Sequence, residues 1–259
     1  MKRSDLICEN GVINAKENQK NVHNFTLYRT KCTEIIVDKE QSKNLGLACG
    51  RYVTIYCDNE NYPKALRDII TDFLPNGKAF VAGIGNEKIC SDSLGPKTLR
   101  FVPATAHLAE IEQLREFNMR KVYVIETSVT GKTGIESAKQ ITCLSEEVRA
   151  DFIVVIDSLA CSQTKKLCNV IQITDTGISP GAGVGNDRME LSEKTTGKRV
   201  IAIGVPTVID YESNLSKFMV TPRNIDIIVD EYAKNIGLSL SKALNPTLTE
   251  EELNALIIR

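Results

Sequence analysis

Five short apolar runs, at 79–84, 122–126, 152–157, 170–173 and 200–205, constrain this chain more than any other feature. None alternates apolar with polar residues, so each predicts a strand covered on both faces, as in a parallel or mostly parallel sheet sandwiched by helices. Stretches rich in helix formers, at 108–117 and 144–150, separate several of them. The rhythm is that of an α/β fold.

Around this centre the pattern is helical or mixed. Asn61-Tyr-Pro63 opens a helix with Ala65, Leu66, Ile69, Ile70 and Phe73 on one face, closed by Pro75-Asn-Gly77. A long helix is predicted from Thr221, with Pro222 at its first position and Ile225, Val229, Tyr232, Ile236 and Leu240 in register, ending at Asn245-Pro246. A last helix opens at Thr249, where Glu252 completes a capping box. Residues 6–60 are mixed and polar, with strands expected at 34–37 and 52–56, and read as an N-terminal subregion of one α/β domain spanning 6–259.

Charge and composition narrow the chemistry. The 32 Lys and Arg nearly balance the 33 Asp and Glu, which argues against a dedicated nucleic-acid binder and against a polybasic membrane anchor. No segment approaches the roughly 18 consecutive apolar residues of a membrane span. His23 and His107 are the only histidines, which rules out a three-histidine metal site. The eight cysteines contain no C-x-x-C pair and read as reduced thiols of a cytoplasmic protein. Catalysis, if present, falls to carboxylates or thiols.

Three segments carry that chemistry, since open α/β sheets bind ligands beyond the carboxyl ends of their strands. In Val81-Ala-Gly83-Ile-Gly85-Asn86, the two glycines let the backbone turn sharply out of a strand, and Asp92 follows in the next loop. The dinucleotide fingerprint fails here, because Lys88 stands where a third glycine is needed. Asp92 reads either as a cap of the helix starting near Leu94 or as a functional carboxylate. In the second segment, Asp157 ends an otherwise apolar strand, an expensive place for a carboxylate without a role. Asp92 and Asp157 could face one crevice, sharing a proton as acid and base or jointly holding a divalent metal; no spacing demands a cofactor. The third segment, from Asp175 through Gly181, Gly183, Gly185 and Asn186, is either a flexible surface loop or a backbone able to bind an oxyanion or a peptide carbonyl.

These segments, in this order, are followed by Gly204-Val205-Pro206-Thr207-Val208-Ile209-Asp210 and Met219-Val220-Thr221-Pro222. Together they resemble the spore germination endopeptidase family. The likeness runs from Arg3-Ser4-Asp5-Leu6, similar to the family's R-T-D-L near its processing site, to Ala243-Leu244-Asn245-Pro246, similar to its A-L-H-P end. The resemblance implies a hydrogenase-maturation-protease-like fold, a homotetramer and an aspartic-type endopeptidase, with a divalent-metal mechanism as the alternative. Its two essential aspartates correspond to Asp92 and Asp157, with Gly83, Gly85, Asn86, Gly181, Gly183, Gly185 and Asn186 as backbone-binding positions. It also implies a self-processing zymogen with residues 1–5 as propeptide, cut near Asp5-Leu6. The implied substrates are the small acid-soluble proteins that coat DNA in the spore core, cut after acidic residues. The sequence departs from the pattern at Ser91 and Ser158, where the family carries proline and alanine, and in the short stretch between Asp210 and Met219, where it carries a longer insertion. The rival readings are a catalytically inactive paralogue acting as a binding protein and a phosphate- or nucleotide-handling enzyme built on the two glycine loops.

Overall fold

A computed structural model describes residues 4–9, 21–45, 47–181, 188–212 and 217–257. Each of the five apolar runs is a strand: β4 (Ala79–Ile84), β5 (Val122–Thr127), β6 (Phe152–Cys161), β7 (Val170–Thr174) and β8 (Arg199–Glu212). The N-terminal region adds β1 (Val22–Leu27), β2 (Thr30–Val37) and β3 (Gly50–Tyr56), and β9 (Lys217–Val220) folds back on the far end of β8. All nine join one sheet in the order β1-β2-β3-β7-β8-β6-β4-β5, with β9 on β8.

The sheet has two halves. Strands β5, β4, β6 and β8 are parallel, whereas β1, β2, β3, β7 and β8 pair antiparallel in succession. The reversal at β7 follows from chain length. Only residues 162–169 join β6 to β7, enough to step over β8 but short of the dozen or more residues a parallel crossover needs.

Helices cover both faces. Helix α1 (Lys39–Leu45) follows β2, and α2 (Tyr62–Phe73) precedes β4 with Ala65, Leu66, Ile69, Ile70 and Phe73 buried. Helices α3 (Leu94–Leu99), α4 (Thr130–Thr133), α5 (Ser137–Glu147), α6 (Glu193–Thr196), α7 (Ile225–Leu244) and α8 (Glu250–Leu256) complete the set. The main core joins Leu66, Ile70 and Phe73 of α2 and Val229, Ile236 and Leu240 of α7 to Val154, Ile156 and Ile203 of the sheet. On the other face Ile141 of α5 packs on Phe80, Ile153, Val155 and Val200.

Three local expectations change. Residues 108–117 form turns and a 3-10 segment, Glu112–Phe117, instead of an α-helix. Their apolar residues Leu108, Ile111, Leu114 and Phe117 recur every three positions, the repeat of a 3-10 helix and not of an α-helix. The long helix α7 begins at Ile225, not Thr221, because the Thr221 hydroxyl donates to the Thr207 carbonyl at 2.8 Å and so anchors β8 instead of capping a helix. Asp157 does not end its strand: β6 continues to Cys161. The capping box of α8 forms as read, with Thr249 Oγ1 accepting from the Glu252 N–H at 3.2 Å and Glu252 accepting from the Thr249 N–H at 2.7 Å.

Candidate active site

The parallel strands set the location. From β4 the chain moves to β5 on one side, and then returns to build β6 on the other. This is a topological switch point, where the loops leaving neighbouring strands diverge and open a crevice at their carboxyl ends. Asp92 comes from the loop after β4 and Asp157 from β6, so the two carboxylates flank that crevice.

The loop carrying Asp92 is held by its own backbone. Gly85 has φ +140°, and a Cβ there would lie 2.0 Å from the Asp92 carbonyl oxygen, so only glycine allows the loop to fold back this closely. The Asn86 N–H donates to both the carbonyl oxygen (2.9 Å) and the Oδ2 (3.0 Å) of Asp92. Asn86 Oδ1 accepts from the Lys88 N–H, and a 3-10 turn at Cys90–Asp92 completes the loop. Next, Gly95 brings α3 against the strand ends: a Cβ there would lie 2.3 Å from the Ile84 carbonyl and 2.7 Å from that of Ile156. Gly83 makes room for Gly95 in turn. Gly83, Gly85 and Asn86 therefore serve to seat Asp92. The Asp92 carboxylate does not cap α3, whose N-cap is Ser93; the Ser93 hydroxyl donates to the Cys90 carbonyl and makes no capping bond.

Across from this loop, β8 contains a bulge. Leu159 of β6 pairs with Pro206, and Ala160 pairs with Val208, which leaves Thr207 as the extra residue. Its hydroxyl donates to the Ser91 carbonyl at 2.6 Å, and its own carbonyl accepts from Thr221. The bulge thus turns a residue of the sheet onto the backbone next to Asp92.

Asp157 is 4% exposed and lies at the level where β4 has ended, since the last β4 to β6 pair is Gly83 with Ile156. Its Oδ1 accepts from the Ser158 N–H at 2.8 Å. Burial pushes its carboxyl well above the usual carboxylate range, and the charges of Asp92 and, more weakly, Asp5 push it the same way; the Ser158 N–H and Arg188 oppose them. Asp92 is also raised, chiefly by burial, against the Asn86 N–H and Arg188. Two carboxyls raised together, one far more than the other, are the arrangement in which one holds a proton while its neighbour is ionised.

The third predicted segment divides. Because β7 runs antiparallel, Asp175 at its end is carried to the opposite end of the strands, where its Oδ1 accepts from the Arg51 N–H and its Oδ2 faces Arg199 at 3.4 Å. Gly181 has φ +74°, while Gly183, Gly185 and Asn186 lie outside the described residues. Arg188, just beyond them, is the cation whose charge reaches both Asp92 and Asp157.

Residues 4–9 form a strap over this end of the sheet. The Asp5 N–H donates to the Ala160 carbonyl at 2.9 Å, and the Ala160 N–H donates to Asp5 Oδ2 at 2.8 Å. Leu6 is buried among Leu159, Cys161, Val170 and Ile209, and Ile7 among Ile35, Val37 and Tyr52. Gln172 grips the strap's main chain: its Nε2 donates to the Asp5 carbonyl (3.1 Å) and its Oε1 accepts from the Ile7 N–H (2.8 Å). Glu9 accepts from the Ser162 N–H and hydroxyl and from the Gln163 N–H at 2.6–3.0 Å.

Gln172, Thr207 and Arg188 were not singled out in the sequence. Gln172 alone left a signal, as one polar residue inside the apolar strand Ile171-Gln-Ile173. Among the described residues, no group of three or more His, Cys, Asp and Glu side chains is arranged to hold a metal ion. No helix among them is long and apolar enough to cross a membrane.

The chain is similar to several known proteins. The germination protease of Clostridium tetani is 33% identical over 98% of this chain and 98% of its own. That of a Geobacillus species (strain WCH70) is 34% identical over 90% of this chain and 68% of its own. Among solved structures, the [NiFe] hydrogenase maturation protease HycI of Thermococcus kodakarensis superposes with a TM-score of 0.38 at 18% identity, covering 66% of this chain and 98% of that one. The sequence model of the germination proteases matches residues 4–217, and with these relatives it establishes that the chain belongs to the germination protease family, whose members hydrolyse peptide bonds.

Proposed function

We propose that this protein is an endopeptidase that cuts small acid-soluble spore proteins after acidic residues during germination, with Asp92 and Asp157 as its catalytic pair. The observation that carries the reading is the two carboxyls at the switch point, Asp157 buried and Asp92 half-buried, each raising the cost of ionising the pair. Asp157, the more strongly raised, is the member of the pair that holds the proton and acts as general acid toward the leaving amine. Asp92, the less raised, is the general base that takes a proton from the attacking water. Arg188 offsets part of the charge left on the pair. A crevice lined by two carboxyls repels phosphate, which weighs against nucleotide chemistry there.

The same reading extends to self-processing. The Asp5–Leu6 bond follows an acidic residue, is held by Gln172 at its carbonyl and at the Ile7 N–H one residue on, and starts from a residue whose charge is felt at Asp157. Release of residues 1–5 would take Asp5 away from Asp157 and Ala160, in a homotetramer acting in the spore core.

The test is incubation of the purified protein with a small acid-soluble spore protein, with intact-mass analysis of the enzyme itself. Discrete fragments and a chain starting at Leu6 are expected, and both should vanish in Asp92→Asn and in Asp157→Asn. Equal cleavage by either variant removes the assignment. A parallel reaction with chelator, together with elemental analysis, separates a shared proton from a shared metal: cleavage that survives chelation supports the acid–base pair.

A further inference from the structure

We infer that Gln172 is the residue that reads the main chain of the peptide being cleaved, and that the strap occupies the track substrates use. This rests on the Asp92 and Asp157 reading of the site. Gln172 is 6% exposed in a strand whose neighbouring residues, Ile171 and Ile173, are core. Its amide makes two hydrogen bonds, and both partners are main-chain groups on either side of one residue, Leu6: the Asp5 carbonyl and the Ile7 N–H. Nothing in those bonds depends on the side chains of the strap, so any extended peptide could replace it.

Register places this grip at the catalytic level. Asp157 and Gln172 are both paired with Gly204, so they stand on either side of one β8 residue, and residues paired in this way point to the same face of the sheet. Between them Gly204 presents no side chain. The strap's Leu6 fills a pocket on that face formed by Leu159, Cys161 and Val170. When the strap leaves, Gln172 retains a donor and an acceptor aimed at the vacated track. An incoming peptide supplies the matching carbonyl and N–H. Gln172 thereby holds the carbonyl oxygen of the bond to be cut. It is a positioning residue for the reaction carried out by Asp92 and Asp157.

The test uses the full-length chain carrying Leu6→Lys, which removes the strap's apolar anchor, and Asp157→Asn, which prevents turnover. The probe is a fluorescent peptide spanning residues 3–9 with serine in place of Cys8, followed by anisotropy. Binding is expected in this background and not in Asp157→Asn alone, where the strap competes. Adding Gln172→Leu should weaken it about 10–100-fold, the range for losing two hydrogen bonds. Gln172→Glu, which keeps the acceptor and loses the donor, should fall between. In the chain with Asp157 intact, Gln172→Leu should raise KM for the spore protein and lower kcat, with thermal melting unchanged within a few degrees. Equal peptide affinity with and without Gln172→Leu overturns the inference, as does absence of binding to the strap-displaced chain. Undiminished cleavage by Asp157→Asn would instead overturn the catalytic reading.

Discussion

Replacing Asp157 by asparagine should stabilise the protein at neutral pH while abolishing hydrolysis. The asparagine keeps the shape of the side chain and, through its carbonyl oxygen, the 2.8 Å bond from the Ser158 N–H. It removes a buried group whose ionised form is opposed first by burial and then by Asp92 and Asp5. The sign follows from proton linkage. A carboxyl raised in the folded state binds more protons folded than unfolded, so its contribution is fully favourable below the unfolded carboxylate pKa near 3.9 and is lost as pH rises toward the elevated folded value. Every unit of elevation costs about 1.4 kcal/mol at pH above both values, and in a chain of this size that corresponds to roughly 3–6 °C in Tm. Thermal melts and urea titrations from pH 4 to pH 8 should show wild type weakening across this range. Asp157→Asn should show a flatter profile and a higher Tm at pH 7.5. Parallel profiles with no gain at pH 7.5 would refute the claim that Asp157 is held protonated by its surroundings.

Three further outcomes follow from the same geometry. Gly85→Ala should cost about 2–5 kcal/mol in urea unfolding, because the new Cβ meets the Asp92 carbonyl at 2.0 Å in a backbone region reserved for glycine. Thr207→Val, which removes the hydroxyl bonded to the Ser91 carbonyl, should lower kcat for the spore protein more than it changes KM, and Thr207→Ser should restore it. Thr249→Ala should cost about 1 kcal/mol by loss of the capping box, seen as faster hydrogen exchange in α8, with hydrolysis unchanged.

Much of the fold was legible because it depends on local pattern. Non-alternating apolar runs identify strands, and all five proved to be strands; four are buried on both sides, whereas β5, at the edge of the sheet, is only partly covered. The face of Ala65, Leu66, Ile69, Ile70 and Phe73 identified α2, and the Thr249 and Glu252 pair identified α8. The parts misread are those where distant contacts outweigh local preference. Thr221 has the chemistry of a helix cap, yet its hydroxyl binds the carbonyl freed by the bulge at Thr207. Asp157 looks like the end of a strand because the apolar run stops there, yet β8 carries β6 onward to Cys161.

The two aspartates could be named from the chain alone, because a carboxylate at the end of a buried run and another after a glycine turn are anomalies that sequence displays directly. Their relation to each other could not. Which of the two is buried more deeply, that Gly85 and Gly95 press the Asp92 loop onto the strand ends, and that Gln172 and the strap converge on the level of Asp157 all depend on strand order. Hydrophobic pattern specifies which residues are strands and which face each presents, because burial is a property of single residues. Neighbours in a sheet are chosen by the length and path of the connections, and those are settled only when the whole chain closes on itself.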